Sequence, residues 1–203
     1  MEIGDSDYTD FLKSTEKGFI RKILDVQLPY KWNLRRLNLG KTLDVGCGIG
    51  RNLQTLSKES VGVDINRFSV SECRQKGLNA FLPNDFFNLF SAKDSGKNVF
   101  DSILFSHVLE HMKESEIPKT IFKYLGFLKN NGKVVFISPQ EAGYKNDPTH
   151  RTFVDFDYLL RIAIEFRLRL IRKFSFPFPR IFGKIFLYNE FILVLRFLNI
   201  LAN

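Results

Sequence analysis

The sequence is poor in the residues that build disulfide scaffolds and metal-stapled domains: two cysteines, one tryptophan and three histidines in 203 residues. Cys47 and Cys73 are too few for a disulfide framework and stand in no metal-type spacing, which excludes a small secreted scaffold and a zinc ribbon. A reducing, cytoplasmic setting suits such a chain. A membrane-spanning helix needs about 20 apolar residues, and the stretch that comes nearest, Ile185 to Leu201, is interrupted by Asn189, Glu190, Arg196 and Asn199. The first residues, Met1-Glu2-Ile3-Gly4-Asp5, lack the basic and apolar regions of a signal peptide. Internal repeats and Pro/Gly/Ser-rich linkers are missing too, so a single domain over 1–203 is expected.

What is abundant is phenylalanine, at 22 residues, and positive charge, formally +8. The phenylalanines supply a core and leave enough for an aromatic-walled pocket. From Arg151 onward Lys and Arg outnumber Asp and Glu. A basic surface favours an anionic small molecule, nucleic acid or a membrane face, and a plain solvated surface is the alternative.

Residues 1–40 are apolar-periodic at Phe11, Leu12, Phe19, Ile20, Ile23 and Leu24, which predicts a helical N-terminal segment broken near Pro29. Over 41–203 short apolar runs alternate with helical patterns. Strands are expected at Lys41–Val45, Ser60–Asp64, Leu78–Leu82, Val99–Phe105 and Gly132–Ser138, with helices at Gly50–Lys58, Arg67–Lys76 and Ser115–Lys129. Gly132, after Asn130-Asn131, reads as the stop of the preceding helix. Such alternation predicts an α/β domain with a parallel sheet and helices on both faces. A helix at Phe156–Glu165 follows, then an alternating run from Arg167 to Phe174, a loop with Pro177 and Pro179, and a last run at Tyr188–Phe197. Two strands with no helix between them pair antiparallel. An amphipathic helix resting on a membrane is the competing reading of that last segment.

One segment carries the most chemistry: Leu43-Asp44-Val45-Gly46-Cys47-Gly48-Ile49-Gly50-Arg51-Asn52. Glycines belong where a backbone turns sharply and approaches a ligand without Cβ clashes. A dinucleotide-binding loop has similar spacing, but Arg51 stands where that pattern places its third glycine. Asp44 precedes the glycines, where its carboxylate can meet a cationic ligand end. Asp64 closes the second strand twenty residues later, where an acidic side chain accepts hydrogen bonds from ribose hydroxyls. Asn84-Asp85-Phe86 follows the third strand.

The glycine segment resembles the first motif of class I S-adenosylmethionine-dependent methyltransferases, D-V-G-C-G-x-G. The chain as a whole is similar to bacterial class I enzymes of the small-molecule kind, including those of quinone biosynthesis. The resemblance implies a Rossmann-like seven-stranded sheet in the order 3-2-1-4-5-7-6 with strand 7 antiparallel. It implies S-adenosylmethionine as cofactor, bound by Asp44, Gly46, Cys47, Gly48, Gly50, Asn52, Asp64, Ile65 and Ser106. Asp85 would bond the adenine amine, with Phe86 or its neighbour beside the ring. A helix cap at Asp85 is the alternative reading of that residue.

All three histidines, His107, His111 and His150, fall just beyond expected strands four and five, where ligands gather in open α/β sheets. His107, Glu110 and His111 share a face if their turn is helical. His-x-x-Glu-His also spells the inverted zinc-peptidase motif, but that motif belongs on a long helix of a peptidase fold. Some quinone-pathway relatives carry an acidic, metal-binding version whose first position is Glu; here it is His107, a divalent metal held by the triplet is the alternative, and no metal ligand is assigned. The polar stretch Ser138–Arg151 is long enough to be a functional loop, with His150 as a general base and Lys145 or Arg151 as an anion holder. Together these predict methyl transfer to a small-molecule, lipid or saccharide acceptor, at oxygen, with His107, His111 and His150 as catalytic candidates. RNA methylation is the main rival, and a non-catalytic binding protein or a nicotinamide dehydrogenase are the others. Base-amine methylation calls for an Asn/Asp-Pro-Pro-aromatic motif that Ser106-His107-Val108 lacks. Pyrimidine C5 chemistry needs a cysteine near strands four or five.

Overall fold

The computed structural model describes residues 27–91 and 98–197. The expected helices over Phe11–Leu24 lie outside the described residues. The elements run α1 (Leu28–Arg36), β1 (Thr42–Val45), β2 (Val61–Val63), α2 (Arg67–Gln75), β3 (Ala80–Phe81) and α3 (Pro83–Ser91). After them come β4 (Phe100–Ser106), α4 (Ile117–Leu125), β5 (Leu128–Pro139), α5 (Glu141–Asn146), α6 (Phe156–Glu165), β6 (Leu168–Phe176) and β7 (Glu190–Phe197), with short 3-10 turns at Leu109–His111 and Arg180–Lys184. The strands form one seven-stranded sheet in the order β3-β2-β1-β4-β5-β7-β6. β7 is antiparallel to both of its neighbours.

Contacts group the chain into two compact units, 1–92 and 93–203. In the first, β1, β2 and β3 pair in parallel, with Asp44 opposite Gly62. Leu43, Val63, Val70, Cys73 and Phe86 are buried there. Asn66 caps α2 by accepting from the N–H groups of Phe68 and Ser69, the side-chain bond that lets a helix begin at Arg67. The expected helix over Gly50–Lys58 does not form: those residues make successive turns. Asn52, Thr55 and Ser57 are weak helix formers, and Thr55 N–H and Leu56 N–H both donate to the Asn52 carbonyl.

In the second unit, β4 and the latter half of β5 are almost wholly buried, as strands covered on both faces require. Asp155 caps α6 through the Tyr158 N–H. The structure corrects the strand-five boundary. The helix before it ends at Leu125, with Gly126 as its cap, and β5 already pairs Leu128 with Phe100. Asn131, at φ 62°, turns the chain within the strand, and pairing resumes at Lys133 opposite Ser102. Asn130-Asn131-Gly132 is therefore a turn inside β5, not the end of a helix. The Ser138–Arg151 stretch likewise holds α5. Glu190–Phe197 is a buried strand between β5 and β6, which rules out an amphipathic surface helix at those residues. Among the described residues, no helix is long and apolar enough to cross a membrane.

Candidate active site

In the first unit the glycine loop follows β1. Gly46, Gly48 and Gly50 have φ of 76°, 52° and 83°, the left-handed region that glycine enters without strain. A Cβ on Gly50 would stand 2.5 Å from Leu78 Cδ1, so this position also lacks room. Gly46 and Cys47 N–H groups donate to the Val63 carbonyl, tying the loop to β2. Asp64, after β2, accepts from Gly48 N–H and Asn66 N–H, both at 2.8 Å. One carboxylate thus spans the loop and the start of α2.

Asp44 is fully buried, and neither of its carboxylate oxygens has a hydrogen-bond partner. Burial pushes its pKa up to about 7; the nearby Asn52 side chain opposes the shift and the charge of Asp64 adds to it. A buried carboxylate is costly unless it is paired, and a pKa near 7 leaves Asp44 partly protonated at neutral pH. Cys47 lies in the apolar cluster with Leu53, Val70, Cys73 and Ala80, which leaves its backbone for the loop. Ile65 is 85% exposed. Asp85 is exposed in the first turn of α3, where the expected alternative made it a cap. The structure corrects Phe86: it is fully buried and stacked on Phe90 at 4.6 Å, so it faces the core. Its neighbour Phe87 is half-buried.

In the second unit the chain leaves β4 at the half-buried Ser106 and turns at His107, whose φ is 52°. His107 Nε2 is 2.7 Å from Glu190 Oε1, and its Nδ1 is 3.3 Å from Glu110 Oε1. Burial works against the imidazolium, but Glu110 and Glu190 outweigh it and raise the pKa to about 10. Nearly half of the side chain, 44%, stays exposed, which softens the burial cost further. At neutral pH His107 is therefore a cation with both ring nitrogens facing carboxylates. In that state neither ring nitrogen has a lone pair to take a proton.

His111 and His150 differ from it. Their rings lie 4.7 Å apart. His150 Nδ1 lies 2.8 Å from the Tyr144 carbonyl, which can only accept, so Nδ1 carries the hydrogen. Thr149 donates its hydroxyl to Asp147, 2.6 Å away, so His111 Nδ1, at 3.0 Å, must donate to Thr149 Oγ1. In its neutral form each ring keeps a lone pair on Nε2, and that atom of His150 lies 3.8 Å from Asp147 Oδ2. Burial holds the His111 pKa below its usual value, against the pull of Glu110. Asp147 stays below the usual carboxylate range: burial would raise it, but Thr149 hydroxyl and N–H bonds prevail. Tyr144 stacks on His150 with ring planes 14° apart. The loop is fastened to the strand-four turn by Arg151 N–H and Thr152 N–H, which both donate to the Glu110 carbonyl.

All three histidines thus gather around Glu110. Lys145 and Arg151 are exposed. Glu190 carries a contact that periodicity does not reveal. Its one sequence signal is a carboxylate directly before the apolar run Phe191–Leu195.

Residues 43–134 match the family model described as a methyltransferase domain. These residues carry a methyltransferase domain. No curated protein matches the chain in sequence. Among solved structures, the chain is similar to a SAM-dependent methyltransferase from Archaeoglobus fulgidus, with TM-score 0.69 and 20% identity over 94% of this chain and 100% of that one. It is also similar to magnesium protoporphyrin IX methyltransferase from Synechocystis PCC 6803 with bound SAH (TM-score 0.66, 16% identity, 95% of each chain). A third is N-methyltransferase NodS from Bradyrhizobium japonicum WM9 with S-adenosyl-L-homocysteine (TM-score 0.64, 16% identity, 93% of this chain and 97% of that one).

Proposed function

We propose that this methyltransferase modifies an oxygen of a small-molecule, lipid or saccharide acceptor, and that its glycine loop, Asp44, Asn52, Asp64, Ile65, Asp85 and Ser106 hold the cofactor. The carrying observation is Asp44: a fully buried carboxylate with no hydrogen-bond partner, beside a loop of left-handed glycines. That carboxylate suits a cationic ligand end, and an acidic side chain after the second strand, where Asp64 stands, suits ribose hydroxyls. S-adenosylmethionine supplies an electrophilic methyl carbon on a sulfonium.

The protein's part in the reaction is positional. Acceptor oxygen and methyl carbon held about 3–3.5 Å apart react as one unit instead of two free molecules. As the oxygen–carbon bond forms, the carbon–sulfur bond breaks and its electron pair stays on sulfur. A hydroxyl acceptor must also lose its proton. The Nε2 lone pairs of His111 and His150 are the bases that can take it, an assistance worth about 10²–10⁴-fold. His107, already a cation, offers its exposed edge to a negative group on the acceptor. Lys113, Arg151 and Arg161, together with Glu114, line a cavity of about 520 Å³.

Calorimetric titration with S-adenosylmethionine tests the cofactor site. The wild type is expected to bind, and Asp64→Ala to bind about 100-fold more weakly, since the ribose partner and the anchor of Gly48 go together. A wild type that binds neither the cofactor nor its demethylated product defeats this reading. A second expectation concerns turnover with an acceptor in hand: His150→Ala slows it about 100-fold or more, with cofactor affinity unchanged.

A further inference from the structure

The loop between β6 and β7 turns large apolar side chains outward. Phe178, Ile181, Phe182, Ile185, Leu187 and Tyr188 are all exposed, Ile181 and Ile185 by 74% and 76%. Single exposed apolar residues are ordinary, but a cluster of them in one short segment marks a contact surface. The segment is firmly built. Phe178 N–H donates to Asn189 Oδ1, the Asn189 amide donates to Gln140 Oε1, and Arg180 pairs with Glu141. The half-buried Phe186 packs edge-on against both Phe178 and Tyr188. A Cβ on Gly143 would collide with the Leu187 carbonyl oxygen, so α5 lies directly against the loop. The apolar tips thus stand on a frame that is already ordered, which keeps the entropic cost of a contact small.

The charge around the loop selects its partner. From Phe166 to Asn189 the chain carries Arg167, Arg169, Arg172, Lys173, Arg180 and Lys184, with no Asp or Glu. Arg180 is paired with Glu141, but Arg172, Lys173 and Lys184 are exposed, as is Lys145 in the last turn of α5. Apolar tips beside cations match the boundary between headgroups and acyl chains of an anionic bilayer. A symmetric contact with a second copy would set this basic patch against itself. Single-stranded nucleic acid fits the charge, but its bases stack on aromatic rings, and the two most exposed tips of the loop are isoleucines.

We propose that the β6–β7 loop docks the protein on an anionic membrane surface. Ile181, Phe182, Ile185 and Leu187 enter the acyl boundary, and the neighbouring lysines and arginines meet lipid phosphates. Tyr188 suits the headgroup level, where a ring has one apolar end and one wet end. Membrane contact therefore falls to the loop before β7 and not to β7 itself, which is buried. The loop is followed directly by Glu190, which holds His107, and α5 beside it leads to His150. A bilayer seated there lies next to the histidine rim. The inference goes beyond the acceptor reading above and does not depend on it.

The test is co-sedimentation of the full chain with vesicles of phosphatidylcholine mixed with phosphatidylglycerol, and with vesicles of phosphatidylcholine alone. Binding to the mixed vesicles is expected, about 10-fold or more weaker to the neutral ones, and falling as salt rises. Ile181→Ser together with Ile185→Ser is expected to weaken it about 10–100-fold, and Lys184→Gln about threefold to fivefold. Ile185→Leu, which keeps the apolar surface, is expected to bind as the wild type does. Thermal melting and titration with S-adenosylmethionine accompany every sample and are expected to be unchanged, so a folding defect is seen as such. Wild-type protein that takes up the cofactor but not the mixed vesicles overturns the docking surface and leaves the methyltransferase reading in place. Vesicle binding indifferent to the double substitution overturns it too. So do dimers that the double substitution dissolves, found in place of vesicle binding, or tighter binding of an oligouridylate than of the vesicles. Vesicle binding without cofactor uptake sustains the docking surface and overturns the cofactor reading instead.

Discussion

Asp44→Asn is expected to stabilise the cofactor-free protein while crippling cofactor binding. Burial raises the folded-state pKa of Asp44 to about 7, against an unfolded value of about 3.9. The folded protein therefore holds this proton more tightly than the unfolded chain does. The contribution of Asp44 is fully present below about pH 4 and is lost as pH rises through about 7. Above that, folding must bury a carboxylate whose oxygens have no hydrogen-bond partner. Asparagine keeps the shape without the charge, for a gain on the order of 2 kcal/mol at pH 8 and almost none near pH 4. In exchange the variant loses a charge-assisted bond to the cofactor, worth about 10–100-fold in affinity. Denaturant melts at pH 5 and pH 8, paired with calorimetry, measure both. A variant less stable than wild type at pH 8, or one that binds the cofactor as tightly, contradicts this account. Opposite signs for stability and binding are what a site held ready for a cation entails.

Gly183→Ala is expected to cost about 3 kcal/mol, a fall of about 6–12 °C in Tm. A Cβ at Gly183 would stand 1.7 Å from Gln140 Oε1 and 2.7 Å from Gln140 Cβ, so the glutamine has to leave. Gln140 is fully buried. Its amide donates to Ser175 Oγ and to the Glu190 carbonyl, and its oxygen accepts from Asn189. Moving it leaves buried groups unpaired, each costing about 1–3 kcal/mol. It also frees Glu190, the partner of His107. Gly126→Ala is the matched control. Gly126 caps α4 with φ −62°, and a Cβ there would touch nothing within 4 Å. That substitution is expected to be neutral or to add about 0.4–1 kcal/mol. Similar losses in both variants would mean that crowding at Gln140 is not the cause.

The parts of this protein that were legible in the sequence are those fixed by local chemistry. The positive φ angles at Gly46, Gly48 and Gly50 need glycine, and glycine stands there. The α6 boundaries, Phe156–Glu165, follow from the Asp155 cap and an apolar stripe. The sheet order agrees with the one that the resemblance implied. What stayed hidden depends on distant partners. The early start of β5 comes from pairing with Phe100, which no feature of Leu128 announces. Phe86 reads as a flanking ring until its stack on Phe90 turns it inward. His107 reads as a base until Glu190, 83 residues away, supplies its second carboxylate.

β7 lies between β5 and β6 although it follows both in the chain. On the ribosome, β6 emerges before the strand that joins it to the sheet exists, and β5 waits with a bare hydrogen-bonding edge. Contacts made across such long stretches of chain form slowly and leave sticky edges exposed. Glu190, which opens β7, holds His107 at the tip of β4. The histidine rim therefore takes its final shape only after the last described strand has threaded into place.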